Sequence, residues 1–118
     1  MKIKKNNKIF KPWGFEVLLE KNNIYVLKKL FMKKNHRCSL QYHKKKLETI
    51  YVLSGILEIS FGKNKNSLTK KKFYKNDTIT LKPKVIHRMK ALKDCFYLES
   101  SSPQLKDVVR LEDDYRRL

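Results

Sequence analysis

Ser39-Leu40-Gln41-Tyr42-His43-Lys44-Lys45-Lys46-Leu47-Glu48-Thr49-Ile50-Tyr51-Val52-Leu53-Ser54-Gly55-Ile56-Leu57-Glu58-Ile59-Ser60-Phe61 is the stretch on which the fold turns. Its apolar, aromatic and β-branched residues fall into short runs, 39–43, 48–53 and 56–61, that suit strands. Gln41 and His43 are two apart, so a strand carries both on one side of a sheet. Glu48, five residues beyond His43, would lie on the opposite face if the strand simply continued. Lys44-Lys45-Lys46 supplies a turn instead, three solvated cations that no sheet interior would accept. The chain then reverses, and Glu48 opens the next strand facing His43, with Ile50 and Val52 on the same inward face. Ser54-Gly55 reads as a tight reversal or bulge joining two core strands, with a hairpin expected there because Gly adopts positive φ.

Working outward, residues 15–19, 24–32, 78–81, 85–89 and 95–99 are further strand-like runs rich in Val, Ile, Leu, Tyr and Phe. Polar turn clusters separate them, among them Lys21-Asn22-Asn23, Lys33-Lys34-Asn35, residues 62–66, Lys75-Asn76-Asp77 and Lys82-Pro83-Lys84. No helical period of apolar residues is sustained over three turns except weakly near the C-terminal end, where 112–115 reads equally as extended chain or as one helical turn. Many short strands at close spacing imply an all-β sandwich, jelly roll or barrel.

The 118 residues and 14.2 kDa fit a single domain spanning 1–118, with residues 1–10 as a basic N-terminal arm and 111–118 as a short tail. A net charge of +18 first suggests a phosphate-rich partner. However, 24 of the 29 cations are Lys and only five are Arg, the residue that reads bases through bidentate contacts. The lysines are scattered over the polar loops beside eight Asn, so the charge reads as a solvated surface and nucleic acid ranks last among partners. No apolar run approaches the ~20 residues of a membrane span, and the basic N-terminus is not followed by a signal-like apolar stretch. A cytoplasmic protein is expected, and Cys38 and Cys95 are expected to be separate thiols.

His87 follows the Lys82-Pro83-Lys84 turn and, in a barrel, becomes a further inward polar group. Gln41, His43, Glu48 and His87 then form a mixed N and O donor set suited to a divalent metal such as Zn, Mn, Fe or Ni, among which the donor set does not choose. His36, in the loop before Cys38, reads as a surface residue. Lys28 shares the parity of Val26, Leu30 and Met32, so it is either an inward cation for phosphate or, if the register slips by one, a solvent-facing neighbour of Lys29. Trp13 reads as a core or rim packing residue.

These residues resemble the cupin superfamily, whose small jelly-roll barrel, a double-stranded β-helix, holds a metal through two His-bearing motifs. The resemblance is closest to the cupin module of type II mannose-6-phosphate isomerases, which is also fused to mannose-1-phosphate guanylyltransferases. It runs from Lys11-Pro12-Trp13-Gly14 through Gln41, His43, Glu48 and Ser54-Gly55 to His87-Arg88 and the ending Arg110-Leu111-Glu112-Asp113-Asp114-Tyr115. No nucleotidyltransferase domain precedes it, so a free-standing version is expected. The resemblance implies a metal on Gln41, His43, Glu48 and His87, a sugar phosphate at the barrel mouth, and aldose-ketose isomerisation.

Family members place Arg in the loop between the metal His and Glu, where this chain has Lys46. That substitution keeps the charge and loses the planar fork. Lys46 and Arg110 are the implied catalytic cations, with Lys28 and Arg88 binding substrate. Lys34-Asn35 stands where Pro-Gly is usual and Lys84 where Gly is common, both at turns. Small cupins pair through sheet edges, so a homodimer is expected. Two other functions suit the same barrel: a non-catalytic module for a small anionic ligand, and a metal-dependent oxygenase.

Overall fold

A computed structural model describes residues 5–118, and they fold into nine antiparallel strands. In chain order these are β1 (Lys8–Lys11), β2 (Gly14–Lys21), β3 (Val26–Met32), β4 (Leu40–Tyr42), β5 (Glu48–Gly62), β6 (Thr69–Phe73), β7 (Thr78–Leu81), β8 (Ile86–Ser101) and β9 (Val109–Glu112). Two long strands organise the whole. β5 and β8 pair along their full length, from Glu48 opposite Ser101 to Gly62 opposite Ile86. The C-terminal half of β8 continues into β3, β2 and β1, while its N-terminal half meets β4, which is edged by β9. On its other side β5 carries β7 on its first half and β6 on its second. The result is the curled antiparallel sheet of a jelly-roll barrel.

The barrel interior follows the two-residue period of its strands. Leu30 and Met32, Ile50 and Val52, Leu57 and Ile59, Met89 and Ala91, and Cys95 and Tyr97 all point inward and form one core with Trp13, Cys38 and Leu81. Both cysteines are free and buried.

Along β5 the inward positions change parity, from Glu48, Ile50 and Val52 to Leu57 and Ile59. An unbroken strand would turn Leu57 outward, and register shifts between Val52 and Leu57 absorb the mismatch. This corrects the hairpin expected at Ser54-Gly55. Gly55 sits in a bulge of one continuous strand, at φ 82°, where a Cβ would lie 2.1 Å from the carbonyl oxygen of Asp94. Bulge and hairpin share a signature, a glycine at a break in the alternation, and only the pairing with β8 tells them apart. The runs 85–89, from Ile86 onward, and 95–99 likewise belong to one strand, β8.

Two strands were not anticipated: β1 takes up part of the expected N-terminal arm, and β6 is formed largely by exposed lysines. β9 makes the start of the tail extended, up to Glu112. The turns expected at Asn35 and Lys84 are both present with positive φ, 67° and 69°. The tail is fastened to the barrel by the Arg37 guanidinium, which donates to both carboxylate oxygens of Asp114 at 2.6 and 2.9 Å. No helix among the described residues is long and apolar enough to cross a membrane.

Candidate metal centre

β4 delivers Gln41 and, just past its end, His43; β5 begins with Glu48; and β8 carries His87 near its start, opposite Gln41. These placements bring His43, Glu48 and His87 together, with one donor atom from each lying within 4.8 Å of the others. Glu48 Oε1 is 3.2 Å from His43 Nε2 and 3.1 Å from His87 Nε2. All three side chains are buried.

The protons on this triad are constrained by its surroundings. His43 Nδ1 bonds to the backbone carbonyl of Asp107, and His87 Nδ1 to that of Val85 at 3.0 Å. A carbonyl only accepts, so each Nδ1 carries the proton, and in the neutral ring Nε2 presents a lone pair. Glu48 Oε1 and the two Nε2 atoms are buried with no hydrogen-bond partner. Three lone pairs that face one another in a dry interior repel unless a cation or extra protons come between them. A divalent ion fits this arrangement, and the backbone carbonyls behind each imidazole are the outer contacts that orient histidine ligands. Burial pushes the Glu48 carboxyl up; in the metal-free triad, imidazoles that take a proton on Nε2 and donate it to Glu48, together with the Lys46 ammonium, outweigh burial and hold the group below the usual carboxylate range.

Beside the triad lies a cavity of about 150 Å³ lined by Gln41, His43, Lys46, Glu99, Lys28 and Arg110. Trp13, Leu30, Met89 and Tyr97 supply apolar wall. The Gln41 side-chain oxygen accepts from the Ser39 hydroxyl at 2.5 Å. Lys28 faces inward with Val26, Leu30 and Met32, and its ammonium is 3.5 Å from Glu16. Arg110 Nε is buried without a partner. Cys38 also lines the cavity, but burial pushes its thiol up to about 11, which makes it a poor nucleophile.

Two sequence expectations need correcting. Lys44 and Lys45 are exposed, but Lys46 is not a solvated turn residue: it is only 5% exposed. Its ammonium lies 3.5 Å from Glu48 Oε2 and donates to Glu99 Oε1 at 3.3 Å. The turn can bury it because the Asp107 carboxylate accepts from the backbone N–H groups of Lys44, Lys45 and Lys46, holding the loop without help from their side chains. Arg88 does not line the cavity. One residue after the inward His87, it falls on the outer face of β8 and donates to the carbonyls of Cys38 and Glu112.

His36 is half-buried and bonds to the Lys34 carbonyl, apart from the triad. Glu99 was missed as a site residue. Its separation from His87 on β8 is even and it shares the parity of the inward Cys95 and Tyr97, so period two alone marks it. Burial, then the neighbouring Glu48 charge, pushes its carboxyl up to about 7 against the opposing pull of Lys46.

The family model for the mannose-6-phosphate isomerase C-terminal domain matches residues 1–113. The chain belongs to this family. No curated protein matches this mannose-6-phosphate isomerase C-terminal-type cupin. Among solved structures, the capsular polysaccharide assembling protein CapF from Staphylococcus aureus superposes with a TM-score of 0.79 at 16% identity, covering 92% of this cupin and 34% of that chain. Bacillus subtilis oxalate decarboxylase gives 0.79 at 13% identity, with 90% and 30% covered. KdgF from Halomonas sp. gives 0.74 at 14% identity, with 85% and 88% covered. These likenesses establish the cupin fold. The chain spans about a third of the CapF and oxalate decarboxylase chains and most of KdgF.

Proposed function

We propose that this cupin is a metal-dependent sugar-phosphate isomerase that interconverts an aldose and a ketose. The observation that carries the reading is the convergence of His43 Nε2, His87 Nε2 and Glu48 Oε1, three buried lone pairs without a proton donor, beside a cavity lined by cations. A divalent ion held there, Zn with Mn, Fe or Ni as alternatives, would supply Lewis acidity toward a substrate oxygen. Gln41, in register with His87 and lining the same cavity, is the fourth ligand in this reading.

The remaining steps fall to the chain's own side chains. Glu99 suits proton transfer between C1 and C2, because it lines the cavity and burial holds its carboxyl above the usual carboxylate range, toward the neutrality at which a group can take up and return a proton. Lys46 holds Glu99 in place, and its charge favours negative charge developing on the substrate. Arg110 and Lys28 are the proposed anion contacts. A cavity of about 150 Å³ is small beside the ~300–1,000 Å³ of typical ligand sites, so the reacting end enters and the phosphate stays at the mouth.

The same small volume, together with the engagement of Lys46 by two carboxylates, favours one second reading, a binding module for a small anion. Metal analysis of the purified protein with a coupled mannose-6-phosphate assay, on wild type and His43→Ala, separates the readings. Metal and turnover, both lost in His43→Ala, support the isomerase; metal without turnover supports the module; wild type without metal overturns both. The homodimer belongs to this proposal too, with edge strand β1 and its exposed Ile9 and Phe10 as the contact, tested by sedimentation.

A further inference from the structure

On the outer face of the strands that carry the triad lies a second, more open cleft of about 660 Å³, lined by Tyr42, Lys44, Lys45, Lys63, Lys84 and Ile86. Tyr42 alternates with Gln41 and His43, and Ile86 precedes His87, so strand parity turns both away from the metal centre. Four of the six lining residues are lysines and none is acidic. Some cations elsewhere on this surface meet carboxylates, as Arg37 does Asp114 and Arg117 does Asp113. Here like charges crowd together without compensation, an arrangement relieved by a multiply charged anion.

The backbone under these lysines is held in place. Asp107 accepts from the N–H groups of Lys44 and Lys45, so the one carboxylate bound to this loop is directed at its backbone. The Lys84 N–H donates to the His43 carbonyl at 2.6 Å, and Lys84 holds a φ of 69° that glycine would adopt more readily. Lys63 follows Gly62, which pairs with Ile86 across the β5–β8 ladder. Three separate segments thus bring lysine side chains around a floor formed by one aromatic ring and one aliphatic side chain. Its volume falls within the range of small-molecule sites.

We propose that this cleft binds an organic polyphosphate with a flat apolar group, of nucleoside diphosphate chemistry, with the lysines on the phosphates and Tyr42 and Ile86 under the ring. It is separate from the metal centre and does not depend on the isomerase reading.

Calorimetric titration of the full chain with ADP, with inorganic pyrophosphate as the comparison, tests it. The wild type is expected to bind ADP saturably, and more tightly than pyrophosphate. The triple variant Lys44→Ala, Lys45→Ala, Lys84→Gly is expected to weaken ADP at least about tenfold, while Lys70→Ala, Lys71→Ala, Lys72→Ala on β6 removes the same charge and changes it less than about twofold. Lys63→Ala alone provides a milder version should the site triple fail to fold. Tyr42→Leu is expected to reduce ADP binding and leave pyrophosphate unchanged, and His43→Ala to retain ADP. The proposal is overturned by absent ADP binding, by equal losses in both triples, by ADP binding no tighter than pyrophosphate, or by loss of ADP binding in folded His43→Ala, which would place the phosphates at the metal centre.

Discussion

Lys46 Nζ lies 3.3 Å from Glu99 Oε1, and both side chains are almost wholly buried. Lys46 also reaches Glu48, so one ammonium is shared by two carboxylates in the barrel interior. Burial works against the charged amine, but Glu99 and Glu48 outweigh it and raise its pKa. Breaking such a pair strands buried charge, which is far more damaging than removing it whole. Lys46→Met is therefore predicted to destabilise the metal-free protein by about 3–5 kcal/mol at neutral pH. Lys46→Met combined with Glu99→Gln should recover a substantial part of that loss. Urea unfolding of the single and double variants measures both, and equal stability of the two would refute the coupling.

Glu99 also predicts a pH dependence. Its folded pKa, about 7, lies above the ordinary 4.5, so across that window the folded state holds more protons than the unfolded chain. Its contribution to stability therefore falls as pH rises from about 4.5 to 7 and stays low above. In chelator-treated protein, Glu99→Gln should gain stability relative to wild type on going from pH 5 to pH 8, by the order of 1–3 kcal/mol. Denaturant midpoints at the two pH values check this. A constant difference between the proteins would contradict it.

Metal loading should stabilise the fold, because an ion that binds the assembled triad has no equivalent site in the unfolded chain. Chelation is predicted to lower the melting temperature, and the loss should be reversed by adding back the native ion. Glu48→Gln keeps the shape and removes the charge, and is predicted to weaken metal binding by about a hundredfold or more. That figure is at least the effect known for losing outer-shell partners. A melting temperature indifferent to chelator in metal-loaded wild type would refute the site.

Gly55→Ala is predicted to destabilise the protein by about 3 kcal/mol or more, because the added methyl meets the Asp94 carbonyl and the positive φ disfavours any side chain. Lys84→Gly, also at positive φ but exposed, should change stability by less than about 1 kcal/mol. Thermal melts of the two variants form a matched pair. A hairpin turn at Ser54-Gly55 would tolerate Asn in place of Gly55, whereas the observed bulge should not, since the obstruction is backbone.

The site was legible where chemistry depends on parity. Gln41 and His43 on one face, Glu48 with Ile50 and Val52, and His87 after a proline turn follow from the two-residue period of a strand. The same rule marks Glu99 as inward and Arg88 as outward. Lys46 escaped because a run of three lysines looks uniformly solvated. What buries the third and leaves the first two exposed is distant in sequence: Asp107 gripping the loop backbone, and Glu99 receiving the ammonium.

From the sequence alone come an all-β chain, the family motifs and the three residues that converge as the buried triad, because strand propensity and alternation are local properties. That Ser54-Gly55 is a bulge and that β5 and β8 run unbroken emerges from the folded sheet. It alone oriented both imidazoles by backbone carbonyls and gave Lys46 two buried partners. Each of these depends on which backbone lies opposite which, and pairing between residues tens of positions apart is set by how the whole sheet curls and closes.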